Sequence, residues 1–274
     1  MNKKRRIEIA ADTIEILEKG YYTNSKGEKV DLTLIQEKAA YNTRLYEPAS
    51  LDNLKGKTDF SNNFQTRYEV NNETTCDAAR RLVAEGVENV MVLNFASAKN
   101  PGGGFLGGAL AQEECIARAS GLYPCLLQAN EYYEYHRHQG TCLYSDHMIY
   151  SPLVPLFKSE DGELLDEAVC ITIITSPAVN AGAVRDNERG NIDKILPVMR
   201  KRIEKLLTLS LHHKHTTLVL GAWGCGVFRN EPEDIAELFK DALTGNFANQ
   251  FKRVVFAVKT NSEDIIDPFR ERFK

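Results

Sequence analysis

The sequence predicts an α/β domain, a largely parallel or mixed sheet covered by helices on both faces. Three observations predict it. Apolar runs at residues 90–95 (VMVLNF), 168–175 (AVCITIIT), 216–220 (TTLVL) and 254–258 (VVFAV) lack an alternating polar face, the pattern of strands buried on both sides. Segments of helical period stand between them. Two of these strands run into glycine-rich loops followed by helices, and in open α/β sheets ligands bind at such strand ends.

Taken in order, residues 4–18 read as an amphipathic helix, with Ile7, Ala10, Ala11, Ile14 and Leu17 at helical spacing and Gly20 as its stop. Residues 21–23 and 29–32 flank Asn24-Ser25-Lys26-Gly27 as a hairpin. A second helix covers 33–46, closed by Glu47-Pro48, and residues 49–66 are polar and loop-like. This quarter lacks the later strand–helix alternation, so residues 1–66 are expected to be a mainly helical N-terminal extension packed on a core of residues 67–274. In that core residues 68–70 are a short strand, and Thr74 or Thr75 caps a helix running through Glu85. The strand at 90–95 leads through five glycines into one helix over 112–127. Residues 131–144 read as an irregular, exposed, tyrosine-rich connection, and Pro152 and Pro155 put the strand at 147–157 at an edge or a bend. After the strand at 168–175, a long helix over 192–211 ends in His212, His213 and His215, read as a solvated helix end. The strand at 216–220 enters the second glycine loop, Gly221 to Asn230, and Pro232 heads a helix with acid in its first turn. A strand at 254–258 and a helix beginning at Ser262 complete the chain.

Composition bounds the function. The 274 residues carry a net charge of −4, which argues against broad capture of nucleic acid by basic stripes. A phosphate ligand would be held locally, by backbone N–H groups. No apolar run is long enough to span a bilayer, and the basic N-terminus lacks the uninterrupted apolar core of a secretory signal. Six cysteines, none in C-x-x-C spacing, read as reduced thiols of a cytoplasmic protein. The only histidine-rich cluster, His136-Arg137-His138 with Asp146-His147, has no spacing that makes a metal site, so no metal and no cofactor are expected.

Chemistry concentrates after the strand at 90–95. Gly102-Gly103-Gly104-Phe105-Leu106-Gly107 matches G-x-G-x-x-G, but a long polar lead-in over 96–101 replaces the tight turn of a dinucleotide fold. Two glycine loops on separate strands could hold a diphosphate between them. Trp223 and Phe228 flank the second loop and could stack on a base or ribose, or simply be core. Gln112-Glu113-Glu114 opens the helix after the first loop. One reading is structural: acids favour the helix dipole, and Glu114 pairs with Arg118 four residues on. The other is that one glutamate is a general acid/base, its pKa raised by a diphosphate and by its neighbour while the helix N-terminus opposes the rise.

The run from Asn94 through Asn100-Pro101-Gly102-Gly103-Gly104, followed by Gln112-Glu113-Glu114, resembles the signature of the poly(ADP-ribose) glycohydrolases, and most closely their bacterial-type branch on the macrodomain fold. GAWGCGVFRN at 221–230 is similar to that branch's second diphosphate loop, and the strand ends at 149–152 and 175–180 are also similar. The resemblance runs from about Tyr68 to the C-terminus. It implies a three-layer macrodomain-like mixed sheet flanked by helices. It also implies metal-free hydrolysis of ribose–ribose O-glycosidic bonds, from chain ends, releasing ADP-ribose. By position Glu114 would be the acid/base and Glu113 would orient the leaving ribose. Gly102, Gly103, Gly104, Gly224, Cys225, Gly226, Val227 and Phe228 would hold the diphosphate. Phe228 would also position the terminal ribose, and Asn100 and Gln112 would join the ligand contacts. The N-terminal extension would close the adenosine end of the cleft. Implied partners are poly(ADP-ribose), ADP-ribose and poly-ADP-ribosylated proteins, with no membrane and no direct nucleic acid, for a monomer acting in the DNA damage response. The alternatives are a non-catalytic ADP-ribose reader and a hydrolase of mono-ADP-ribosylated proteins.

Overall fold

The computed structural model describes residues 1–274. Helix α1 (Lys3–Lys19) is capped by Asn2, whose side chain accepts from Arg5 N, and ends at Gly20 in the left-handed conformation (φ 74°). The hairpin follows as β1 (Tyr21–Thr23) and β2 (Lys29–Asp31). Beyond it the chain departs from the expected single helix. Helix α2 (Thr33–Asn42) stops early, and Arg44–Tyr46 forms strand β3, paired antiparallel with the later strand Met148–Lys158. The expected loop opens with helix α3 (Pro48–Leu54), whose Leu51 and Leu54 are buried in the main core. Residues 1–66 therefore lend an edge strand to the principal sheet.

Strand β4 (Arg67–Asn71) and helix α4 (Thr75–Ala84) follow, with Thr74 Oγ1 accepting from Asp77 N as the N-cap. Strand β5 (Met91–Phe95) is next, and the expected helix after the first glycine loop is two helices, α5 (Gln112–Ala119) and α6 (Leu122–Leu127). The break is tertiary: Gly121 N donates to Pro155 O at 2.8 Å, and Ser120 bridges to Leu156. Residues 130–138, expected to be irregular and exposed, are helix α7 (Asn130–His138), with Tyr132, Tyr133 and His136 buried.

Strand β6 (Met148–Lys158) runs antiparallel to β7 (Leu164–Ser176), and its register shifts between Ser151 and Val154, around Pro152. Only residues 148–150 of β6 pair with β3, so both prolines lie where no strand covers that edge. A short helix absent from the sequence reading, α8 (Ala181–Asn187), precedes α9 (Ile195–His212). Strand β8 (Thr217–Leu220), helix α10 (Pro232–Thr244), strand β9 (Arg253–Ala257) and helix α11 (Glu263–Arg272) end the fold.

The seven-stranded sheet has the order β3-β6-β7-β5-β8-β9-β4, parallel from β7 to β4 and antiparallel at the β6 and β3 end. Its side chains alternate between two cores. Met91, Leu93, Leu218, Leu220, Val254 and Phe256 pack with α3, α9, α10 and α11. Val92, Val219, Val255, Ile171 and Ile173 pack with α4, α5, α6 and α7. This is a three-layer α/β/α arrangement, and it explains why the central strands have no polar face. Helix α1 lies outside these layers, against α5, with Ala10 buried beside Phe105 and Ala117.

Candidate active site

Strands β5 and β8 are parallel neighbours, with Val92 opposite Val219, so the glycine loops that leave them emerge side by side at one edge of the sheet. In the first loop Gly102 and Gly103 take positive φ, 68° and 61°. That bend lays the loop over the start of α5. A Cβ on Gly103 would overlap Glu114 Oε1 and stand 3.1 Å from Glu113 Oε2. Neighbouring residues leave a helix about 100° apart, yet both carboxylates reach the same stretch of backbone, because the loop folds back across them.

The two carboxylates are held differently. Glu114 is 9% exposed and its Oε1 accepts the Gly104 N–H at 2.9 Å. Glu113 is 2% exposed; its Oε2 accepts the Ser97 N–H at 2.7 Å and its Oε1 accepts Asn94 Nδ2 at 3.2 Å. Burial pushes the Glu113 carboxyl up to about 8, and the charge of Glu114 adds to the rise against those two hydrogen bonds. The expected Glu114–Arg118 pair does not form. Arg118 is buried, donating to Ala109 O at 2.8 Å and Cys115 Sγ at 3.3 Å.

Gln112 acts as a clamp within the protein. Its Oε1 accepts from Phe95 N at 2.8 Å, and its Nε2 donates to Leu93 O at 2.7 Å and Thr75 Oγ1 at 3.1 Å. This fixes the first turn of α5 to the end of β5, so the glutamates are positioned by the sheet. Asn100 lies exposed on the loop, its N–H on Ser97 Oγ at 3.1 Å.

The second loop, over 221–230, is seated by close packing. Gly224 has φ 77°, and a Cβ there would stand 2.5 Å from both Ala178 Cβ and Asn230 Nδ2. Asn230, buried, donates to Val179 O at 2.8 Å and Gly224 O at 3.1 Å, tying the loop to the segment that leaves β7. The N–H groups of Gly226, Val227 and Phe228 find no acceptor within the chain. Three successive unpaired donors beside a helix start make an anion cradle. Val227 is 81% exposed, and Phe228 is half-buried with its ring centroid 5.9 Å from that of Tyr144. Burial raises the Cys225 thiol above its usual range. Trp223 is fully buried against Phe239 and belongs to the core.

Several positioning residues escape sequence reading. Asn94 carries the clearest signal, a polar residue inside the apolar run 90–95. Arg202, fully buried on α9, donates to Asp146 Oδ1 at 3.1 Å, Pro177 O at 2.9 Å and Leu143 O at 3.0 Å, joining the two segments under the second loop. No local pattern marks it. The histidines taken for a possible cluster serve the same region: Ser145 Oγ bonds His136 Nε2 at 2.8 Å and His147 Nδ1 at 2.7 Å.

A mixed sheet with paired carboxylates under one glycine loop, and a second loop offering free N–H groups beside it, places an acid/base pair next to an anion cradle, the equipment of an enzyme acting on a phosphate-bearing substrate. Comparison supplies the family. Residues 10–159 match the family model described as microbial-type PARG, catalytic domain, and the chain belongs to this family of poly(ADP-ribose) glycohydrolases. It is similar to the poly(ADP-ribose) glycohydrolase of Thermomonospora curvata at 45% identity, with a TM-score of 0.94 over 98% of this chain and 99% of that one. The same enzyme bound to the inhibitor ADP-HPD superposes with a TM-score of 0.91 at 45% identity, over 98% of this chain and 99% of that one. The Deinococcus radiodurans enzyme in complex with ADP-ribose is 44% identical, with a TM-score of 0.83 over 87% of this chain and 97% of that one. None of the curated protein sequences compared with the chain matches it.

Proposed function

We propose that this chain hydrolyses the ribose–ribose O-glycosidic bond of poly(ADP-ribose), releasing ADP-ribose, with Glu114 as general acid and base. The observation that carries this reading is the convergence of Glu113 and Glu114 beneath Gly103. The free N–H groups of 226–228 stand on the neighbouring strand's loop. The second loop takes the diphosphate of the terminal unit through its free N–H groups. Gly102–104 line it by close backbone approach, with the Gly103 and Gly104 N–H groups kept on Asn100 O and Glu114 Oε1, and Phe228 lies against its ribose. Glu114 gives a proton to the departing ribose oxygen while the C1″–O bond breaks and positive charge develops at the anomeric carbon. The Glu114 carboxylate then takes a proton from the water that attacks that carbon, which restores the acid. Glu113, held by Asn94 and Ser97, hydrogen-bonds the leaving ribose. No step uses a metal.

Residues 1–66 favour attack at chain ends. Helix α1 packs over the first loop and α5, with Arg6 Nε donating to Gly108 O at 2.7 Å and Thr13 Oγ1 to Arg118 O at 2.5 Å. Six free cysteines support action in a reducing compartment.

The test is release of free ADP-ribose from poly(ADP-ribose) in EDTA by the parent chain and by Glu114→Gln. Expected is release by the parent and a loss of at least about a hundredfold in the variant, with ADP-ribose affinity kept. Equal release by both would remove Glu114 from the chemistry. Tight ADP-ribose binding with no release by the parent would make the protein a reader.

A further inference from the structure

Two cations beside each glycine loop differ in their partners. Beside the second loop, Arg185 pairs with Glu231 at 3.2 Å and Arg229 pairs with Asp186. Beside the first, Lys99 and Arg137 are exposed and neither makes an ion pair. Arg137 Nη1 donates to the Lys99 carbonyl oxygen at 2.7 Å, which draws the last turn of α7 against the loop and sets two cationic side chains on adjoining ground.

Their location follows from the carboxylates. Ser97 donates its N–H to Glu113 Oε2 at 2.7 Å, and Ser97 Oγ accepts from Lys99 N at 3.3 Å. Lys99 is thus two residues along the chain from Ser97, whose N–H binds the glutamate proposed to face the leaving ribose. Two acids of the adjoining segments are hydrogen-bonded within the chain and pair with neither cation. Glu134 accepts from Asn130 Nδ2 at 2.7 Å, and Glu188 accepts from Thr141 Oγ1 at 2.5 Å, Cys142 N at 2.6 Å and Asn191 Nδ2 at 2.9 Å.

On the reading above, the ribose that departs is the adenosine ribose of the adjoining unit, and its C5′ carries a second diphosphate only a few bonds from the oxygen that leaves. The second loop cannot serve both diphosphates, because it holds that of the unit being released. We propose that Lys99 and Arg137 form a subsite for the diphosphate on the leaving side of the scissile bond. An ammonium and a guanidinium suit phosphate oxygens, and the subsite gives a polymer an affinity that a single ADP-ribose lacks. This inference rests on the glycohydrolase reading for its ligand, but its test is a binding measurement that needs no turnover.

The smallest probe holding both diphosphates is the ADP-ribose dimer. Its Kd and that of ADP-ribose are measured by calorimetry on the full chain carrying Glu114→Gln, alone and with Lys99→Glu, Lys99→Arg or Arg137→Gln added. For exposed charges at low salt the dimer is expected to bind about tenfold tighter than the monomer. Lys99→Glu should abolish that ratio, Arg137→Gln should reduce it, and Lys99→Arg should keep it, all with ADP-ribose affinity unchanged. Rising salt should shrink the ratio in the Glu114→Gln chain. A dimer that binds no tighter than ADP-ribose overturns the subsite. So does a ratio indifferent to Lys99→Glu and Arg137→Gln, or an equal fall in affinity for both ligands. Failure of the parent to release ADP-ribose from polymer would overturn the glycohydrolase reading instead, and would leave the binding ratio to decide the subsite.

Discussion

At Glu113 three local influences favour the charged carboxylate: the start of α5 and the donors Ser97 and Asn94. Desolvation outweighs them and raises the pKa from 4.5 to about 8. The sign of the consequence follows from linkage. Between those two values the folded chain holds a proton that the unfolded chain has released, so stability falls as pH rises through that window. Glu113→Gln keeps the shape and cannot ionise. It is expected to melt several degrees above the parent at pH 8, with the difference shrinking toward pH 5, as thermal melts across that range would read. An offset independent of pH would mean that Glu113 ionises in the folded chain as freely as in the unfolded one. The identity of the two glutamates was legible from their place after the glycine loop. Which influence wins at Glu113 was not, because depth of burial is set by Asn94, Ser97 and α7, none of which is its sequence neighbour.

Among the elements, the first loop and α5 act as one unit, and Gly103 is the point where they touch. Gly103→Ala forces a methyl group onto Glu114 Oε1 at a backbone φ of 61°. With Glu114 in its proposed acid/base role, displacing its carboxylate by about 1 Å costs on the order of a hundredfold in kcat, and that loss is expected with the melting temperature lowered by only a few degrees. Gly107→Ala, with open space around its Cβ, is the control and should retain activity. Wild-type kcat in Gly103→Ala would mean that the loop does not constrain Glu114. The strands and both glycine loops were legible because apolar runs and turn residues report local conformation. The break between α5 and α6 was not, since a carbonyl of β6 competes for the Gly121 N–H from 34 residues away in sequence, Gly121 to Pro155. The α2–β3 boundary was missed for the same reason, with β3 existing only as a partner of β6.

For the whole molecule, the histidines at the end of α9 tie the N-terminal segment to the body. His213 stacks on Tyr150 with ring centroids 3.7 Å apart, and its Nε2 meets Tyr46 OH at 2.8 Å. His215 is buried, bonded to Tyr150 OH at 3.1 Å and Asn89 O at 2.9 Å. The sequence reading of a solvated helix end is therefore corrected: the tertiary fold brings β3 and β6 over that end. Burial lowers the His213 pKa from 6.5 to about 4. The neutral ring's contribution is fully present above pH 6.5 and is lost as pH falls toward 4, because the unfolded chain takes up the proton first. His213→Phe keeps the stacked ring and cannot be protonated, so its melting temperature is expected to fall less steeply than the parent's between pH 6.5 and 4. Parallel curves would show that His213 does not supply the acid sensitivity. His136, His147 and His215, lowered in the same direction by burial, contribute to the slope that remains. By itself the sequence determined the α/β class, the two glycine loops and the glutamate pair, because periodicity and turn chemistry act over a few residues. Only the tertiary structure decided that Gln112 clamps α5 to β5, that burial raises the Glu113 carboxyl and that residues 1–66 supply a strand of the sheet. Hydrogen-bond partners and burial depend on which distant segments meet, and no short stretch of sequence carries that.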